Sequence, residues 1–228
     1  MPNEIHSHMR WNLYTFLVKH FSLTGWQSFA VMAGCLLLCM VIPYLLGSFN
    51  FGLIISRRKY HDDIRIHGSG NAGTTNMLRT YGPKAAALTL VGDMLKAALA
   101  VILGYLLVNN QAVAYNEAGR FIGVFGDKPG AAVAGLFVVV GHMFPCFFRF
   151  RGGKGVATAF GAVVTFSPLL GCSLLGIVIV VVLITRRVSA GSVCAAVAAP
   201  LLTYFIYPEA IWGVILLALI VVIKHRAN

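Results

Sequence analysis

Two short stretches of this chain concentrate the residue types that handle anions: Gly68-Ser69-Gly70-Asn71-Ala72-Gly73-Thr74-Thr75-Asn76 and Arg151-Gly152-Gly153-Lys154-Gly155. Glycine lets the backbone approach a ligand closely and adopt φ > 0, so successive N–H groups can converge on one anion. Arg79 and Lys84 follow the first stretch, and Lys154 lies inside the second. Ser69, Asn71, Thr74, Thr75 and Asn76 add side chains that donate to phosphate or carbonyl oxygens. A plain flexible turn needs no pair of asparagines around paired threonines. Neither stretch is a Walker A motif, and no strand of a dinucleotide fold precedes them. The chemistry they suggest is the binding of phosphorylated groups.

Other residues could take part. Asp93 and Lys96 stand at i, i+3 inside an apolar run and share a helical face; they are either a functional pair or a structural ion pair. His142 sits in another apolar run, three residues before Pro145, where a packed, hydrogen-bonded histidine is the simpler reading. Ser48, in Gly47-Ser48-Phe49-Asn50-Phe51-Gly52, either donates to a phosphate at a helix end or belongs to a helix-packing site. His225 and Asn228 end the chain as His-x-x-Asn, sharing a face if the last helix continues, or forming a polar cap. His61-Asp62-Asp63 and His6-Ser7-His8 read as solvated, and no metal site is expected. There is no Gly-x-Ser-x-Gly elbow and no His-x-x-x-x-Asp, so no nucleophile with an adjacent base is evident.

The elements that position these residues must lie in a membrane. The 228 residues are 58% hydrophobic and only 11% charged, with a mean hydropathy of +0.81, whereas a soluble domain carries about 25% charged residues. Apolar segments fall at roughly 29–55, 86–108, 131–148, 155–167, 169–185, 190–206 and 209–223. A straight span takes about 20 apolar residues, so the fourth, sixth and seventh are short. Helix is the state that satisfies the backbone in lipid. Pro43, Pro145, Pro168, Pro200 and Pro208 kink or end helices, and Gly171, Gly176, Ala195 and Ala199 permit close helix–helix contact. The expectation is an all-α integral membrane protein of about seven transmembrane helices, with a five-span arrangement as the variant. Residues 1–27 form an N-terminal extension, interfacial or disordered, and 28–228 one membrane-embedded domain. The five cysteines lie in apolar stretches without a CxxC pair, which describes buried thiols.

The net charge of +11 comes from 18 Lys and Arg against 7 Asp and Glu. In an apolar chain it marks the sides of a membrane, and nucleic acid is not an expected partner. With seven spans and the N-terminus outside, 13 of the 18 basic residues fall in the inner connections. The C-terminus and both glycine-rich loops then lie on the cytoplasmic side.

At these residues the chain resembles the bacterial acyl-phosphate:glycerol-3-phosphate acyltransferases, the PlsY family. Three blocks carry the resemblance. They are Tyr44 to Gly52, then Gly68 to Arg79 with Gly92, Asp93 and Lys96, then Gly141 to Pro145 continuing through Phe150 to Thr158. The terminal His225-x-x-Asn228 also fits. Phe49-Asn50 stands where the family usually has Ile-Pro, which alters the kink beside Ser48. The head 1–27 and the loop 109–130 look longer than usual, and members usually continue past the position of Asn228.

The resemblance implies a seven-helix inner-membrane enzyme that moves an acyl chain from acyl-phosphate to the 1-hydroxyl of glycerol 3-phosphate, giving lysophosphatidic acid and phosphate. It implies no metal and no cofactor, contact with membrane lipids, and functional coupling to an acyl-phosphate-forming enzyme. Acyl-phosphate is already activated, so direct transfer without a covalent acyl-enzyme is expected. Ser48, Lys154, His225 and Asn228 are the expected catalytic residues, with Arg58 beside them on glycerol 3-phosphate. Phosphate cradling falls to Gly68, Ser69, Gly70, Asn71, Gly73, Thr74, Thr75, Asn76, Arg79, Gly152, Gly153 and Gly155, with Asp93, Lys96 and His142 completing the substrate site. The competing class is a transporter or flippase for a small phosphorylated solute, which needs polar residues running through the bundle to the outer side.

Overall fold

The computed structural model describes residues 12–108 and 128–226, without the side chain of Glu209. Every regular element among them is helical. A short helix α1 (Leu13–His20) is capped by the Asn12 side chain, which accepts from the Thr15 N–H at 2.9 Å. It packs on α2 (Gly25–Ser48), a helix that carries Pro43. The head expected to be interfacial or disordered therefore contains α1, and residues 1–11 lie outside the described residues.

The first apolar segment does not run unbroken to residue 55. It stops at Ser48, and α3 (Phe51–Lys59) begins after Phe49-Asn50. Asn50 is the reason for the clean restart. Its Oδ1 accepts from the Leu53 N–H at 3.1 Å, a side-chain N-cap. A proline there could not cap in this way.

Beyond the loop 60–73 come α4 (Thr74–Tyr81) and α5 (Pro83–Leu107). Then follow α6 (Pro129–Met143), α7 (Val156–Phe166), α8 (Pro168–Thr185), α9 (Val188–Ile206) and α10 (Ile211–His225). Prolines 83, 129 and 168 occupy first helical positions, where the missing N–H costs nothing. Five stretches are long and apolar enough to cross a membrane: Gly25–Lys59, Pro83–Leu107, Pro129–Phe148, Pro168–Thr185 and Val188–Ile206. α7 and α10 are shorter, as the lengths of their apolar runs implied. The sixth segment, 190–206, is expected to be short as well, but α9 starts two residues earlier and reaches 19 residues.

The bundle is built on α5 and α6, which pack on each other and on α2 and α7, with α10 against α6. Lipid is as apolar as leucine, so close backbone contact has to hold these helices together. Gly47 and Gly141 supply it between α2 and α6: a Cβ on Gly47 would strike the carbonyl of Val138, and one on Gly141 that of Tyr44. Large apolar side chains such as Leu37, Leu95, Ile184 and Leu201 point outward. Leu53, Ile64, Met77 and Ala85 form a separate buried cluster under the loop 60–73. Each large side chain buried there contributes roughly 1.5–3 kcal/mol and fixes that loop on α3, α4 and α5.

Candidate active site

A buried polar knot joins the three central helices. Lys96 Nζ lies 2.8 Å from Asp93 Oδ1, 3.0 Å from the Gly47 carbonyl, 2.8 Å from the Phe49 carbonyl and 3.0 Å from His142 Nδ1. Three ammonium protons thus meet four acceptors from α2, α5 and α6 and the break after Ser48. Removing a carbonyl's helical partner leaves it in need of another donor, and Lys96 is that donor where α2 ends. Lys96 therefore seals a helix end and does not line the cavity described below. Asp93 and His142 do line it, and Asp93 Oδ2 is buried without a hydrogen-bond partner among the described residues.

That cavity has a volume of about 730 Å³. One end is polar: Ser69, Asn71, Gly73, Thr74, Thr75, Asn76 and Arg79 line it from the first glycine-rich stretch and α4, Lys154 and Gly155 from the second, and His225 from α10. Arg186, Arg187, Ser189 and Ser192 complete it from the turn into α9. The other end is apolar, walled by side chains such as Leu90, Met94, Phe160 and Leu174 and by the small residues Ala195, Ala199 and Ala218.

Helix starts explain why the polar end suits anions. The first turns of α4, α7 and α9 all line the cavity, and each leaves backbone N–H groups unpaired within its helix and carries about half a positive charge. Lys154 stands just before α7, and Arg186-Arg187 just before α9. Cations at helix N-termini oppose the dipole, so both placements are unfavourable until an anion is shared between them. Thr74 Oγ1, in the first turn of α4, is buried without a partner among the described residues. Burial pushes the Lys154 pKa below its ordinary value, and an anion beside it reverses that shift.

His225 Nδ1 lies 2.8 Å from the Val221 carbonyl. A carbonyl cannot donate, so Nδ1 carries the proton of that bond, and in the neutral ring Nε2 holds the lone pair.

The first glycine-rich stretch is organised by Asn76. Its Oδ1 accepts from the Ser69 N–H at 3.1 Å, and its Nδ2 donates to the carbonyls of Ile64 (3.2 Å) and His67 (2.9 Å). Both Asn76 donors are therefore committed to the loop, where a phosphate was the expected acceptor, although Asn76 also lines the cavity. Gly68 and Gly70 shape that loop at φ +53° and +68°, but neither lines the cavity.

The second stretch also departs from expectation. Gly152 N–H donates to the Met143 carbonyl at 3.2 Å and Gly153 N–H to the His142 carbonyl at 3.2 Å. Neither glycine lines the cavity; they are glycine because a Cβ on either would strike His142. Gly155, at φ +81°, starts α7 and does line it.

Ser48 donates to the Tyr44 carbonyl at 2.9 Å and accepts from the Cys146 N–H at 3.3 Å. It pins the segment after α6 to α2 and stands outside the cavity lining, as does the exposed Arg58 on α3. Asn228 lies outside the described residues. No group of three or more His, Cys, Asp and Glu is placed to hold a metal ion among the described residues. Arg186 and Arg187 were counted only as charges marking a membrane side; two cations directly before a helix start were the available signal.

Arg65 links the two stretches. Its Nε and Nη2 donate to Asp63 Oδ1 and Oδ2 at 2.9 and 2.6 Å, while Nη1 donates to the carbonyls of Phe148 (3.2 Å) and Arg151 (3.0 Å). Asp62 Oδ2 meanwhile accepts from Tyr81 Oη at 2.7 Å and lies 2.6 Å from His67 Nε2.

With this geometry in hand, similarity to known proteins is informative. A family model described as glycerol-3-phosphate acyltransferase matches residues 37–228. A glycerol-3-phosphate acyltransferase of Geobacillus kaustophilus is 40% identical over 193 residues, covering 84% of this chain and 89% of the relative. One from Neisseria meningitidis serogroup C is 40% identical over 193 residues, covering 83% and 89%. Among solved structures, PlsY (YgiH), an integral membrane glycerol 3-phosphate acyltransferase in its glycerol 3-phosphate form, superimposes with a TM-score of 0.72 at 32% identity, covering 85% of this chain and 89% of that one. The lysophosphatidic acid form of the same protein gives 0.69 at 31% identity.

Proposed function

Because this chain belongs to the glycerol-3-phosphate acyltransferase family, we propose that it transfers an acyl chain from acyl-phosphate to the 1-hydroxyl of glycerol 3-phosphate. The products are lysophosphatidic acid and inorganic phosphate. The observation that carries this reading is the two-ended cavity. Arg79, Lys154, Arg186 and Arg187 gather with three helix starts at one end, and an apolar channel between α7, α9 and α10 forms the other. Two phosphates need the first end and a fatty tail needs the second.

Transfer is direct. The glycerol hydroxyl oxygen attacks the acyl carbonyl carbon, the bond from that carbon to the bridging phosphate oxygen breaks, and phosphate leaves. A mixed anhydride is reactive enough that alignment supplies the needed acceleration, and alignment can contribute about 7–11 kcal/mol. Lys154 and the helix starts hold the two phosphates together against their mutual repulsion. The hydroxyl proton goes either to His225 Nε2 or to the departing phosphate. The Lys and Arg that crowd the glycine-loop side support a site at the cytoplasmic face of the inner membrane, with the bundle spanning seven times. The substrate requires functional coupling to an enzyme that makes acyl-phosphate. Residues 28–228 act as one domain.

The test is phosphate release by the purified protein from palmitoyl-phosphate, with and without glycerol 3-phosphate, using palmitoyl-CoA as control donor. Release that needs glycerol 3-phosphate and is absent with the CoA donor is the expected result. No turnover from a folded sample would favour transport of a phosphorylated solute. In the same assay His225→Ala distinguishes the proton routes: a loss of about a hundredfold or more assigns the proton to His225, and a few-fold loss assigns it to phosphate.

A further inference from the structure

The main cavity does not reach through the whole bundle. Its apolar end meets Val163 on α7 and Val214 and Leu217 on α10, and on the far side of these three side chains is a second cavity of about 50 Å³. Val163, Val214 and Leu217 line both cavities, so they are the wall between them. The second cavity is lined throughout by apolar residues and glycine, among them Phe166, Leu170 and Gly213. These come from the end of α7 and the starts of α8 and α10, the side of the bundle away from the glycine-rich loops. From His225 at the polar end to Val214 at the wall, α10 advances about 16 Å along its axis.

We propose that Val163, Val214 and Leu217 form a floor that sets the length of acyl chain the enzyme accepts. This rests on the acyltransferase reading above. With the reacting carbonyl held at the polar end, the chain's methyl end runs toward this wall. The tail comes from lipid, which is as apolar as the channel, so every methylene that fits short of the wall gains only packing against its side chains. The first one that does not fit must displace side chains from a close-packed wall, which is destabilising. Leu217 has little freedom to yield, since it packs on the buried cluster that includes Ala97, Val101 and Ala162. Selectivity should therefore be lopsided, rising gradually with chain length and then falling sharply.

The experiment measures kcat/KM for saturated acyl phosphates from decanoyl to eicosanoyl, in the full chain and in two variants. Leu217→Ala opens the wall toward the second cavity, and relief of the overpacking should let the longest donors gain about tenfold relative to the wild type. Val163→Phe thickens the wall, and the optimum should move to shorter donors. Opposite shifts from opposite changes in bulk cannot arise from general destabilisation. Profiles that superimpose on the wild type in active variants would overturn the floor alone and place the tail in the surrounding lipid. A wild type that turns over no donor in the series would remove the acyltransferase reading, and the floor with it.

Discussion

In the stretch 68–76 glycine serves the backbone at Gly70, φ +68°, where the atom nearest an added Cβ is the Arg65 carbonyl oxygen at an ordinary 3.5 Å, while Gly68, at φ +53°, is also crowded by the Asn76 side chain. In the stretch 151–155 glycine serves space: Gly152 and Gly153 have no positive φ, yet a Cβ on Gly153 would strike His142 Nε2. The first loop is free to be shaped and is then fixed by one side chain, Asn76. The second is laid directly on a histidine that is itself held by Lys96. Two glycine-rich stretches therefore deliver groups to one cavity by different means. The flexible one supplies side chains and a helix start, while the packed one sets the position of a single cation, Lys154.

The strongest way to break that contrast is to remove the cation. Lys154→Ala leaves the loop packing intact, because Gly152 and Gly153 hold it through backbone bonds. Losing one preorganised group that stabilises developing charge costs about 10²–10³ in kcat. Steady-state kinetics with saturating substrates should show a loss in this range. Wild-type turnover in Lys154→Ala would mean that the second stretch does not deliver the charge that matters.

Alanine at the two kinds of glycine sharpens the comparison. Gly153→Ala must push against a ring fixed by Lys96, and overpacking of this kind costs about 1–3 kcal/mol. It also shifts Lys154, and a displacement near 1 Å can cost about a hundredfold in rate. Gly70→Ala meets only an ordinary contact with the Arg65 carbonyl and bears the strain of a left-handed backbone, about 1–2 kcal/mol, at a residue outside the cavity. Gly153→Ala should therefore lose much more activity than Gly70→Ala when both melt at similar temperatures. Equal losses of activity would show that both glycines answer to the same constraint.

Much of this was legible in advance, for reasons that differ by residue. Apolar runs bounded by proline and charge are long-range signals, so the all-helical membrane class and the short α7 and α10 followed from them. The break before α3 was written in Asn50, a residue type that caps helices, but capping is decided by local backbone geometry that composition does not reveal. The roles of Gly152 and Gly153 were hidden because they depend on how the backbone after Pro145 folds back onto His142 of the same block, which spacing alone does not show. Ser48 and Asn76 carried the right donors, yet where a donor points depends on the nearest carbonyl. Arg186 and Arg187 escaped notice because a charge pair beside a span has an ordinary explanation in membrane topology.

The clamp between the two stretches gives the smallest effect and the clearest sign. Arg65 is tied to Asp63 and reaches across to the carbonyls of Phe148 and Arg151. The Arg65 hydrogen bonds hold the Asp63 carboxyl well below the usual aspartate range. The bond from Tyr81 lowers Asp62 in the same direction. A carboxylate whose folded pKa is depressed contributes stability that is complete above its unfolded value, about pH 4, and is lost as pH falls below it. Tyr81 behaves in the opposite sense: burial, then the bond to Asp62, pushes it up to about 12. Its contribution is complete below about pH 10 and fades as pH rises through 12. Asp63 is partly exposed to solvent, so its contribution is at most about 1 kcal/mol. Thermal melts in detergent between neutral pH and pH 3 should lose slightly more stability in the wild type than in Asp63→Asn, which has no carboxylate there to protonate. Identical acid losses in the two would mean that the loops are joined by the packing around Ile64 and Phe148, and that the charge on Asp63 adds nothing to the join.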